Sequence, residues 1–83
     1  MSDNASKLQT CFTQTLGVPA TGVTDALAYN SIKEWDSVGH MALVASIETA
    51  FDIMLDTDDI LAMSSVGKAK EILAKYGVTF GAA

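Results

Sequence analysis

The chain has no arginine and only five lysines against ten acidic residues, so it carries a net charge of −5. A nucleic-acid binder needs a basic face to meet phosphates, and this balance argues against that class. It suits a partner with a basic docking surface, because opposite fields speed encounter and help select the partner. With a single cysteine, Cys11, no intrachain disulfide forms, and no Cys/His cluster has zinc-ligand spacing. No apolar run approaches the ~20 residues required to span a bilayer. Met1-Ser2-Asp3-Asn4 lacks the basic start and apolar stretch of a signal peptide. The expectation is a cytoplasmic protein with no membrane span, monomeric by default for a small acidic chain.

Hydrophobic residues make up 49% of the 83 residues, enough for one core and too few for two. A single domain, 1–83, is expected, all-α, with four helical segments. The first begins near Ser2, Asp3 or Asn4, each able to cap it, and stops at Gly17. Its apolar face is Leu8, Cys11, Phe12 and Leu16, so Cys11 reads as a small core residue rather than a reactive thiol. A long loop, 18–35, holds the only proline, Pro19, and the turn chemistry of Thr21-Gly22 and Tyr29-Asn30-Ser31. Loops of this length are uncommon unless functional or packed by their own side chains. Val23, Leu27, Ile32 and Trp35 are available to pin it, with a short helical turn around 24–28. The second helix runs from Ser37 to about Phe51. Asp56 or Thr57 caps a short third helix, 58–62, and Ser64 or Ser65 caps a last one that stops at Gly77. Residues 78–83 are expected to fray, although Phe80 offers a ring to dock.

The stretch that organises the chain is Glu34-Trp35-Asp36-Ser37-Val38-Gly39-His40-Met41. From Ser37 onward the apolar residues Val38, Met41, Val44, Ala45, Ile47 and Phe51 recur at three- and four-residue steps. Asp36 is a good N-cap. Ser37 then lies in the first turn, where free N–H groups and the helix dipole favour a negative group, a good place for a hydroxyl that carries a phosphodiester. Trp35, one residue before the cap, reads as a pin holding the loop to the helices.

Other chemistries fit less well. Ser37 and His40 share a helical face, but there is no Gly-x-Ser-x-Gly elbow and no second acid placed to orient the imidazole. His40 is expected as a partly exposed residue that tunes local charge. Asp52, Asp56, Asp58 and Asp59 resemble a calcium loop in composition only, because no glycine or glutamate occurs between Asp52 and Ala62. Met41, Met54 and Met63 fit either core packing or an adaptable surface.

Asp36-Ser37 followed by an aliphatic residue, at the start of the second of four helices, resembles the prosthetic-group site of acyl carrier proteins. Leu43-Val44, Ile47-Glu48, Phe51-Asp52 and Ser65-Val66 extend the resemblance over nearly the whole domain. It implies a four-helix bundle with a long first loop and a short third helix. It also implies that Ser37 carries 4′-phosphopantetheine, joined by a separate phosphopantetheinyl transferase that uses coenzyme A and recognises Asp36. The thiol of that arm would hold an acyl or aminoacyl group as a thioester, on a protein that is not itself an enzyme. Val38, Met41, Ala45 and Glu48 match the family's partner-facing positions. The implied partners are a loading ligase or synthetase and a downstream acyltransferase or synthase. Lys33-Glu34-Trp35 before Asp36, Gly39-His40 after Val38, and Ala42 and Thr49 depart from the acidic second helix of fatty-acid-synthesis members. The Trp-Asp-Ser-x-x-His-Met pattern is similar to stand-alone carriers of specialised or aminoacyl pathways. A different reading of the same residues is an unmodified helical interaction module that docks through the Ser37 helix.

Overall fold

The computed structural model describes residues 4–80. Four α-helices follow in order: α1 (Asn4–Leu16), α2 (Ser37–Phe51), α3 (Thr57–Ala62) and α4 (Val66–Lys75). A single 3-10 turn, Ala20–Gly22, interrupts the connection from α1 to α2. Among the described residues there is no strand, only an isolated antiparallel bridge between Ala28 and Ser65. The chain is small and all-α. No described helix is long and apolar enough to cross a membrane.

The helix ends have local causes. Gly17 (φ 75°) and Gly77 (φ 91°) adopt the left-handed conformation that closes α1 and follows α4, which costs glycine nothing. Asp52 takes the same conformation at the end of α2, with φ 55°. The Ser65 hydroxyl accepts from the Lys68 N–H at 3.0 Å and caps α4. Asp56 occupies the cap position of α3 without a side-chain capping bond. The candidate caps Ser2 and Asp3 lie outside the described residues.

One core joins the elements. α1 contributes Leu8, Cys11, Phe12 and Leu16, α2 contributes Leu43, Val44 and Ile47, and α4 contributes Val66, Ala69, Ile72 and Leu73. Met63, between α3 and α4, and Trp35, from the loop, are enclosed with them. Each large side chain so buried contributes about 1.5–3 kcal/mol relative to exposure, and the sum has to offset the ordering of the backbone.

The long loop is packed, as its apolar residues required. Val23, Leu27 and Ile32 lie half-buried against the core. The loop also completes the start of α4: Leu27 O accepts from Val66 N–H at 2.9 Å and Asp25 O from Gly67 N–H at 3.1 Å. Together with the Ser65 cap, these bonds satisfy donors that a helix start leaves without intrahelical partners. The expected turn at 24–28 reduces to one bond, Leu27 N–H to Thr24 O.

The described part of the C-terminal tail corrects the expectation of fraying. Val78 is buried and its N–H donates to Leu73 O at 3.1 Å. Thr79 O accepts from the Asn4 side chain at 2.9 Å. Phe80 packs edge-on to Phe51 with ring centroids 6.3 Å apart. Apolar docking of Val78 and Phe80 outweighs the freedom of the chain end, while residues 81–83 lie outside the described part.

Candidate functional site at the start of helix α2

Asp36 is extended (φ −103°, ψ −167°) and its Oδ1 accepts from the Gly39 N–H at 2.8 Å. Its carbonyl accepts the first helical bond from the His40 N–H at 2.7 Å. Ser37 follows, exposed, in the first turn. Gly39 is required by close approach: a Cβ there would run into the Glu34 carbonyl oxygen and sit 3.2 Å from Leu16 Cδ2. The first turn of α2 is thereby pressed against both the incoming loop and α1.

Beneath this turn lies an aromatic cluster. Trp35 is fully buried, edge-on to Phe12 at 5.1 Å and to Tyr29 at 6.4 Å. The His40 ring stacks on it at 6.1 Å with planes 19° apart. The expected role of Trp35 as the loop's pin holds. His40 differs from expectation: it is only 9% exposed. Trp35 Nε1–H donates to His40 Nδ1 at 2.9 Å, and an indole N–H is only a donor, so Nδ1 is the acceptor. The proton therefore sits on Nε2, which donates to Ile60 O at 2.8 Å. His40 is a strut joining the loop, α2 and α3. Position 40 lies on the core face of α2, and Trp35 from the loop and Ile60 from α3 satisfy its polarity there. With both ring nitrogens committed, the imidazole has no lone pair to offer Ser37.

A cleft of about 270 Å³ opens beside Ser37, between α2, α3 and the loop. Tyr29, Met41, Ile60, Leu61 and Met63 give it apolar walls. Leu61 is 77% exposed on its rim and Met54, in the link before α3, is exposed too. Sequence reasoning missed Leu61 as a surface feature, because α3 is too short to display a period. A wider, shallower groove of about 600 Å³ runs between α1 and α2, past Ala42, Ala45 and Thr49.

The expected partner-facing residues lie in different surroundings. Val38 and Met41 project into solvent beside Ser37. Ala45 is exposed at the edge of the α1–α2 groove. Glu48 is half-buried, and its Oε2 accepts from the Leu55 N–H at 2.9 Å. Its carboxylate therefore holds the link between α2 and α3, a use that local spacing does not reveal.

On the far side, α3 is fastened to α4. Asp59 is buried and accepts from Lys75 Nζ and from the Tyr76 hydroxyl, each at 2.6 Å. The Tyr76 oxygen accepts in turn from the Asp56 N–H at 3.0 Å. The Lys75 ammonium, then the Tyr76 hydroxyl, hold the Asp59 carboxyl below its ordinary value. The same bonds raise Lys75 and Tyr76. Compared with protein-family models, curated proteins and solved structures, the chain matches none.

Proposed function

We propose that this chain is an acyl or aminoacyl carrier of a specialised biosynthetic pathway, folded as a four-helix bundle. It holds its cargo as a thioester on a 4′-phosphopantetheine arm attached to Ser37. One observation carries this reading: an exposed serine hydroxyl in the first turn of a helix capped by the preceding aspartate, at the lip of an apolar cleft.

The residues present fit the group. Ser37 contributes nothing to the core, so modification disturbs no packing. The helix start favours a phosphodiester's charge. The arm supplies the thiol, which the chain lacks at its surface, Cys11 being only 4% exposed. A carrier needs no base beside the serine, in keeping with an imidazole whose nitrogens are both engaged. The partners would be a phosphopantetheinyl transferase that recognises Asp36, a loading ligase or synthetase, and an accepting acyltransferase or synthase, met through Val38, Met41, Ala45 and Glu48.

The test is intact mass after incubation with coenzyme A, magnesium and a broad-specificity phosphopantetheinyl transferase. The wild type should gain one phosphopantetheinyl group and Ser37→Ala none. A folded Ser37→Ala protein that still gains the group removes the assignment. The exposed apolar residues Val38, Met41, Met54 and Leu61 also favour a second reading, an unmodified docking module. That reading gains if folded, unmodified wild type gains no mass.

A further inference from the structure

We infer that His40 and Trp35 form an acid-released latch, which holds the long loop to α2 while the imidazole is neutral and frees it when the ring takes up a proton. The latch works whatever Ser37 carries. The two ring nitrogens have opposite roles: Nδ1 accepts from the Trp35 Nε1–H at 2.9 Å, and Nε2–H donates to the Ile60 carbonyl at 2.8 Å. Histidine is the side chain that ordinarily changes charge between pH 5 and 8, and its cation carries a proton on both nitrogens. In that form Nδ1–H faces the indole N–H, a group that can only donate, so this bond is lost. The Ile60 bond keeps its direction and gains the strength of a charged donor. The cation therefore stays with α3 and lets go of Trp35.

The surroundings do not offset that loss. From the loop, Trp35 stacks on the imidazole and Tyr29 meets it edge-on at 5.4 Å, bringing a phenol and not a carboxylate. From α3 the Ile60 carbonyl reaches it, and α1 touches the pair through Phe12 against the indole. Among the described residues no carboxylate forms an ion pair with His40. Asp36 is turned to the Gly39 N–H, Asp59 to Lys75 and Tyr76, and Glu34 is exposed. The ring borders the cleft beside Ser37, which gives solvent protons a path to it. The indole, by contrast, is completely enclosed, and a buried donor without an acceptor is costly, so the freed side chain leaves its slot. Trp35 also closes the loop: its carbonyl accepts from the Asn30 N–H at 2.9 Å and its N–H donates to Ile32 O at 3.2 Å. The segment released is thus the one that leads into the Asp36 cap.

The test follows the single indole N–H and the His40 ring by NMR from pH 8 to pH 5, with urea midpoints alongside. In the wild type the indole signal should move together with the His40 ring signals as the pH falls. Its protection from exchange, relative to a free indole at the same pH, should be lost, and the urea midpoint should drop over the same range. Two variants should lose most of that drop: His40→Gln, whose amide accepts and donates without titrating, and Trp35→Phe, which has no N–H to oppose the cation. A His40 ring that stays neutral down to pH 5 overturns the latch. An indole signal that keeps its place and its protection while His40 titrates also overturns it, as does an undiminished drop in both variants. The wild-type spectra alone give this answer if a variant does not fold.

Discussion

Replacing Trp35 tests whether the site rests on a rigid support. The side chain is fully enclosed, touches Phe12, Tyr29 and His40, and gives its only hydrogen bond to His40 Nδ1. Truncating a buried aromatic to alanine costs about 3–5 kcal/mol. Leaving the imidazole acceptor without its donor adds up to about 1–3 kcal/mol, less if water fills the vacated space. Against this, 83 residues at ~0.05–0.15 kcal/mol each give a total stability of about 4–12 kcal/mol. Trp35→Ala should therefore remove most of the stability. Urea unfolding followed by far-ultraviolet circular dichroism measures it, since the substitution deletes the only tryptophan. Trp35→Phe keeps much of the packing and loses the N–H, so its expected cost is nearer 1–3 kcal/mol. It should remain folded and accept the phosphopantetheinyl group as the wild type does. A cost below about 1 kcal/mol for Trp35→Ala would refute the burial argument. A Trp35→Phe protein with an unchanged urea midpoint that fails to load would move Trp35 from scaffold to recognition.

Gly39→Ala would ordinarily gain about 0.5–1 kcal/mol inside a helix, but the atom in its way is a backbone carbonyl, so an overpacking cost of about 1–3 kcal/mol should win. The thermal midpoint should fall, and a rise would contradict the close approach. Asp36→Ala should cost about 1 kcal/mol through the lost cap. Asp36→Asn should keep most of that stability yet load more slowly, and loading at the wild-type rate would exclude recognition of the carboxylate. Because Asp59 is held below its ordinary value of 3.8, its stabilisation is complete above that pH. It is lost as the pH falls through the lower folded-state value. Urea midpoints between pH 5 and pH 2 should thus drop more steeply for the wild type than for Asp59→Asn, and parallel curves would remove the linkage. Lys75 and Tyr76, both raised, act in the opposite direction, giving stability that is present below pH 10 and lost as the pH climbs through their folded-state values.

What could be read from the sequence was what local chemistry determines. Asp36, Ser65, Gly17 and Gly77 mark helix ends through bonds or conformations within a few residues, and the end of α1, the start of α2 and both ends of α4 fall beside those residues. The exposed Ser37 behind an aspartate cap was legible for the same reason. Less legible was everything settled by a partner far along the chain. α2 carries apolar residues on nearly every face, so its period leaves open which way it turns. His40 passed for a surface residue because the Ile60 carbonyl that accepts from it is twenty residues on. Asp59 reads from the sequence only as one of four neighbouring acids, and its lysine and tyrosine partners come sixteen and seventeen residues later. Glu48 presents a carboxylate at a surface spacing, and only the path of the link reveals that it holds the Leu55 N–H. Val78 and Phe80 are held by Leu73 and Phe51, contacts that composition does not display.

This division between held and free residues makes the two functional readings separable. Asp36, Gly39, His40 and Glu48 are occupied by the fold through a cap, a close approach, a strut and a brace. A loss of function on changing them mixes stability with chemistry. Ser37, Val38, Met41 and Leu61 are exposed and hold none of those contacts. Substitution at such surface positions usually stays within about ±0.5 kcal/mol, so a functional loss there reads directly. A carrier should lose loading only at Ser37, while alanine at Val38, Met41 or Leu61 leaves loading intact and slows transfer to the accepting enzyme. A docking module should show the reverse order, indifferent to Ser37 and weakened at the apolar positions. The exposed apolar rim is common ground for both, because each must meet a partner. The hydroxyl is not, since apolar docking has no use for it.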